Sequence, residues 1–83
     1  MNLLSEALLI VDERGESYGH PRDNHGRTAR WWSDYLGIEI TPRQVCVMNI
    51  LQKISRDCHA EKRDNLLDVA GYALNADLCG EEE

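Results

Sequence analysis

Eighty-three residues make a single domain with room for three or four helices. The formal charge of −6, from 15 acidic against 9 basic residues, argues against a general affinity for nucleic-acid backbone. Cys46, Cys58 and Cys79 are odd in number and lack C-x-x-C spacing, which argues against a disulfide framework or a zinc cluster and for reduced thiols.

Residues 3–13 fit a short amphipathic helix, with Leu4, Leu8 and Val11 on one face, Ala7 and Ile10 beside it, and Gly15 as the stop. The apolar stretch from Leu3 to Val11 is interrupted by Ser5 and Glu6 and has no basic lead. It reads as neither a signal peptide nor a membrane span, so a soluble, cytoplasmic protein with no membrane partner is expected. Residues 15–21 form a turn-rich connection, and a second helix is predicted from about Asp23 to Leu36, with Ala29, Trp32 and Leu36 inward and Gly37 just past its end. Trp31 and Trp32 lie about 100° apart on that helix and cannot share one core, so Trp31 is assigned with Tyr35 to a surface for a partner subunit or a ligand.

The third helix starts with unusual clarity. Thr41 is the N-cap, Pro42 sits at N1, and Gln44 completes a capping box; the helix continues to about Asp57. Its first half (Val45, Cys46, Val47, Met48, Ile50, Leu51) is apolar nearly all round. That predicts burial by several neighbours or by a second subunit, with Cys46 in the core. A core this small supplies on the order of 3–5 kcal/mol unaided, so self-association into a dimer or larger assembly is the expected staple. A charged loop from about Cys58 to Arg63 leads to a fourth helix ending near Cys79, with Gly80 as cap. The short loop favours antiparallel packing. The fold class is therefore all-α: three main helices plus a short N-terminal one in a single domain over residues 1–80, followed by an acidic tail over 81–83. Thr41-Pro42-Arg43-Gln44 resembles the opening of a helix-turn-helix regulator, but no basic recognition helix follows, so no nucleic-acid partner is expected.

The candidate site lies on the last two helices. Asn49, Lys53 and Arg56 fall on one line of the third helix; Asp64, Asp68, Gly71 and Asn75 fall on one line of the fourth. Antiparallel packing would set Lys53 near Asp68 and Arg56 near Asp64. A Lys/Arg pair grips phosphate oxygens, and two carboxylates one turn apart can hold a divalent ion, here Mg²⁺ as the one candidate cofactor. The same charges also read as a structural ion-pair network pinning the hairpin, and Asp64 reads equally as an N-cap. Gly71 inside a helix costs about 1 kcal/mol relative to alanine, which close approach of a helix or a ligand would justify. Tyr18, His20 and Asn24, around the Tyr18-Gly19-His20-Pro21 turn, are placed at the rim of the pocket. His20, His25 and His59 have no metal-ligand spacing.

The order Tyr18-Gly19-His20-Pro21, Asn24, Trp32, Thr41-Pro42, Lys53-Ile54-Ser55-Arg56 and Asp64 through Ala73 resembles a family of small helical proteins of unknown function from bacteriophages and prophages. It is also similar to phage domains associated with nucleotide modification, which pair a K-x-x-R helix with an acidic, tyrosine-bearing one. The resemblance covers residues 3–78 and implies a phage-encoded, all-helical protein. A looser likeness is to the all-helical nucleoside triphosphate pyrophosphatases, which hold Mg²⁺ with E-x-x-E and E-x-x-D pairs. This chain offers Glu13 and Glu16 across a glycine, and Asp64 and Asp68 at a spacing of four, which departs from that pattern. The expected function is binding of a phosphorylated small molecule, a nucleotide, through Lys53, Arg56, Asp64 and Asp68. If turnover exists, Mg²⁺-dependent pyrophosphate hydrolysis is the reaction that the likeness implies. The rival expectation is a non-enzymatic module whose ion pairs are scaffold and whose Trp31/Tyr35 surface engages a host protein.

Overall fold

Four helices account for nearly all of residues 2–80, the part of the chain that the computed structural model describes. They are α1 (Leu3–Tyr18), α2 (Pro21–Leu36), α3 (Pro42–His59) and α4 (Arg63–Cys79). The acidic run Glu81–Glu83, expected as a tail, lies outside the described residues. None of the described helices is long and apolar enough to cross a membrane.

α1 is not short. It runs for 16 residues, straight through Gly15, from an Asn2 cap whose side chain accepts the Ser5 amide at 2.8 Å. A glycine weakens a helix without breaking it. The real stop is Gly19, whose φ of +88° is open to glycine and costly to other residues. α2 also begins earlier than expected. Pro21 takes the first helical position, and the His20 ring caps the end, its Nδ1 accepting the Arg22 amide at 3.0 Å. Gly37, at φ +71°, closes α2 as expected.

Thr41 and Gln44 form the anticipated capping box: the Gln44 amide donates to Thr41 Oγ1 at 3.1 Å, and the Thr41 amide donates to Gln44 Oε1 at 2.9 Å. At the α3–α4 corner, Lys62 occupies the cap position with no side-chain cap of its own. Asp57 supplies the acceptor instead. Its Oδ1 takes the Lys62 amide at 3.0 Å and the Asn65 side-chain amide at 3.2 Å, and both bonds hold its pKa below the usual carboxylate value. Asp64, read as a potential N-cap, does not serve as one.

α4 is the hub, packed against the other three helices, most extensively against α3. The cross-hairpin partners Lys53–Asp68 and Asp57–Asn65 fix α3 and α4 as antiparallel. The core is made of small side chains: Ala7, Val11, Ala29, Val45, Cys46, Leu67, Ala76 and Cys79. Cys46 is fully buried beside Ala76 and Cys79, as expected for a core thiol. Burial pushes its pKa up to about 12, with the Cys79 thiol beside it adding to the rise.

Some expected core faces turn outward. Leu4 and Leu8 are 70% and 52% exposed; Ala7 and Val11 face α4 instead. Small residues win that position because the helices approach closely: a Cβ on Gly71 would sit 3.8 Å from a Val11 methyl. Leu36 is likewise exposed although expected inward, while Trp32 is half-buried, and Trp31 and Tyr35 are exposed as anticipated. On α3 only Val45 and Cys46 are buried, and Val47, Met48 and Leu51 stay open to solvent.

Candidate functional site

The expected charge cluster is only half assembled. Lys53 Nζ meets Asp68 Oδ2 at 3.0 Å, with side chains 17% and 33% exposed. Arg56 and Asp64, the other expected pair, are both exposed, and among the described residues they form no ion pair. Arg56 lies in the last turn of α3 and Asp64 in the first turn of α4, beside the corner that joins them, where both side chains stay in solvent and an ion pair gains little. Arg63, in the same first turn, reaches across to Glu6 of α1 at 2.7 Å.

Asp68 lines a cleft of about 540 Å³ enclosed by α1, α2 and α4. Tyr18, at the end of α1, and Asn24, in the first turn of α2, also line it, as the sequence places them. His20 does not; its ring is occupied as the cap of α2. Lys53 faces a different hollow, on the α3–α4 side. The ion pair therefore forms part of the wall between two cavities rather than a phosphate clamp.

Other groups complete the cleft. Arg14 contributes a guanidinium that makes no ion pair among the described residues. His25, Tyr72 and Asn75 form a connected polar wall. The Asn75 amide nitrogen lies 3.4 Å from His25 Nε2, and the His25 and Tyr72 rings meet edge to face at 6.2 Å and 62°. Burial lowers the His25 pKa, favouring the neutral ring. Gly15 and Gly71 both line the cleft, and neither has a neighbour closer than 3.8 Å to the place where a Cβ would stand. Helix backbone is thus laid bare at Gly15, whereas at Gly71 a Val11 methyl stands close by.

Of the two carboxylates expected to hold a metal, Asp68 lines the cleft, whereas Asp64 is exposed and does not. Asp68 is engaged by Lys53, and among the described residues no three His, Cys, Asp or Glu side chains converge to hold an ion. Glu13 and Glu16, the other acidic residues of the pyrophosphatase comparison, are exposed on α1 and do not line the cleft. What the cleft does offer is one cation, two phenol rings, two amides and a neutral imidazole, beside the Asp68 carboxylate that Lys53 already neutralises. That is the chemistry for a small, polar, anionic ligand with a flat part.

Arg14 and its neighbours were legible in principle. Ala7, Val11, Arg14 and Tyr18 follow one another at spacings of four, three and four, so they share a face once α1 is carried past Gly15. Ending the helix at residue 13 hid Arg14.

Comparison with known proteins fits this helical chain into a viral setting. It is 41% identical over 76 residues to the Gene 55 protein of Mycobacterium phage L5, covering 88% of this chain and 49% of that protein. It is 43% identical over 74 residues to the Gene 55 protein of Mycobacterium phage D29, covering 87% and 49%. The chain thus spans about half the length of the curated relatives it matches. No solved structure matches it. Residues 2–79, almost the whole chain, match the family described as a domain of unknown function (DUF6378), and the chain belongs to that family.

Proposed function

We propose that this is a phage-encoded accessory protein that binds a phosphorylated small molecule, a nucleotide, in the cleft between α1, α2 and α4. The observation that carries the reading is the convergence of Arg14, Asn24, His25, Tyr72 and Asn75 on one hollow of about 540 Å³, within the range of small-molecule sites. Arg14 takes the phosphate, because it is the cation of the cleft that no carboxylate neutralises. Tyr18 and Tyr72 offer ring faces or edges to a base, and Asn24, Asn75 and His25 offer donors and acceptors to base or sugar. Lys53 and Asp68 hold the wall in place; Arg56 and Asp64 stand outside the site. Mg²⁺ would arrive on the ligand's phosphates, and Asp68 is the carboxylate that lines the cleft.

The test is thermal unfolding with nucleoside mono-, di- and triphosphates, with inorganic phosphate as control, each with and without Mg²⁺. A ligand at a hundred times its dissociation constant adds about 2.7 kcal/mol to the folded state. The expected result is a rise in Tm with at least one nucleotide that disappears in Arg14→Ala. No shift at millimolar ligand, with the protein folded, overturns the reading.

One observation favours the rival reading. Trp31 and Tyr35, one turn apart on α2, are 67% and 89% exposed, far more than large aromatic rings usually are. A host protein docking there would make Trp31 its anchor. Trp31→Ala would then abolish partner binding and leave any nucleotide shift intact.

A further inference from the structure

The outer face of the α3–α4 hairpin carries two helical rows that no other part of the described chain covers. On α3 the row is Arg43, Val47, Leu51, Ile54 and Cys58; on α4 it is Leu66, Ala70, Ala73 and Asp77. Each row steps by fours and threes, so it keeps to one side of its helix, as helices that seat against one another do. Val47, Leu51, Ile54 and Leu66 are 40%, 60%, 47% and 52% exposed. Two hollows of about 530 and 610 Å³ lie along this face, one holding Ile54 and Leu66, the other Val47 and Ala73.

We infer that this face is where a second copy of the chain docks, forming a two-fold dimer in which α3 of each copy lies over α4 of the other. Three features make the face complementary to itself. Bulky side chains fill the middle of the α3 row, and alanines fill the middle of the α4 row, so crossing the rows sets large against small. The rows also end in opposite charges, Arg43 and Asp77. These two line the same hollow and make no ion pair with each other within the chain. A two-fold axis running along the helices brings Arg43 of one copy to the level of Asp77 of the other, twice over. Extent is the third feature. At 1.5 Å per residue α3 is about 27 Å long, and a rugged face two helices wide approaches the roughly 800 Å² per partner of a standard interface. Isologous contacts of this kind are the commonest route to closed dimers.

The cleft uses α1, α2 and a different face of α4 (Asp68, Gly71, Tyr72, Asn75) from the row Leu66, Ala70, Ala73 and Asp77, so dimerisation and ligand binding are separable. The experiment is sedimentation velocity on the 83-residue chain, with helix content followed by circular dichroism. The expected mass is 19 kDa, twice the chain's 9.5 kDa. Leu51→Glu should give the 9.5 kDa species with its helices intact. Arg43→Asp should weaken the dimer at least tenfold, and adding Asp77→Arg should restore it, a rescue that survives even if Leu51→Glu fails to fold. A wild-type monomer at several hundred micromolar overturns the inference, as it would if the face were kept for a different chain. So does a dimer that ignores both the Leu51 and the Arg43 substitutions.

Discussion

Lys53 and Asp68 meet at 3.0 Å across the α3–α4 hairpin, yet they face different hollows, Asp68 toward the α1–α2–α4 cleft and Lys53 toward the hairpin's outer face. One bond therefore fixes the hairpin and part of the cleft wall together. Removing either partner strands a half-buried charge, which costs more than the pair itself contributes.

Lys53→Met is therefore expected to destabilise the fold by about 1–2 kcal/mol, discounted from the fully buried case because both side chains keep some solvent. Asp68→Leu alone should cost a similar amount. The double variant should recover most of the loss, since neither charge is then left unpaired. Urea denaturation of the four proteins reads the cycle directly, and strictly additive losses would contradict the pairing.

His25 gives the fold a pH dependence on the acid side of neutrality. Burial holds its folded pKa below the ordinary 6.5, so the unfolded chain takes up the proton first as pH falls. The stability tied to a neutral His25 is complete above pH 6.5 and declines as pH drops through the folded value. Tm should fall between pH 7.5 and 5.5, and His25→Gln should flatten that slope. An unchanged slope in the variant would place the titration elsewhere.

Gly15 and Gly19 should respond in opposite directions to alanine. Gly15 is helical, with nothing within 4 Å of an added Cβ, so Gly15→Ala should stabilise by about 0.5–1 kcal/mol through helix propensity and a stiffer unfolded chain. Gly19 holds φ +88°, and Gly19→Ala should destabilise by about 1–2 kcal/mol. Gly15→Ala should also weaken nucleotide binding, because the methyl group enters the cleft. Thermal melts with and without ligand separate the two effects.

Thiol reactivity should split by position. Cys58 is exposed, whereas Cys46 and Cys79 are buried free thiols whose pKa values burial raises. A chromogenic disulfide reagent should titrate a single thiol quickly in the native protein and the other two only on unfolding. Rapid reaction of all three would contradict a closed core around Cys46.

Capping chemistry made much of this fold readable. Thr41-Pro42 with Gln44, and Gly37, announce their helix boundaries in the sequence because their hydrogen bonds are local. Gly15 misled because a glycine permits a helix stop without requiring one; the left-handed turn fell to Gly19, four residues on. Pairing between helices was harder. Lys53–Asp68 followed from the antiparallel hairpin, but Arg56 and Asp64, on the same faces, sit at the hairpin's end, where solvent takes the place of a partner. Asp57, which ties the corner through Lys62 and Asn65, looks in the sequence like any charged residue before a loop. The cleft was legible through Tyr18, Asn24 and Asp68, and its cation was not, because Arg14 lies just past residue 13, where the sequence pattern with Gly15 as stop ends the helix.

On the proposed reading a phosphorylated ligand occupies the α1–α2–α4 cleft with its phosphate on Arg14. An amide proton–nitrogen correlation spectrum, recorded while a nucleotide is titrated into labelled protein, tests it most directly. Saturable shifts should appear around Arg14, Asn24, His25, Tyr72 and Asn75, and vanish in Arg14→Ala. Shifts confined to Arg56 and Asp64 or to Trp31 and Tyr35, or no shifts at millimolar ligand, would contradict it.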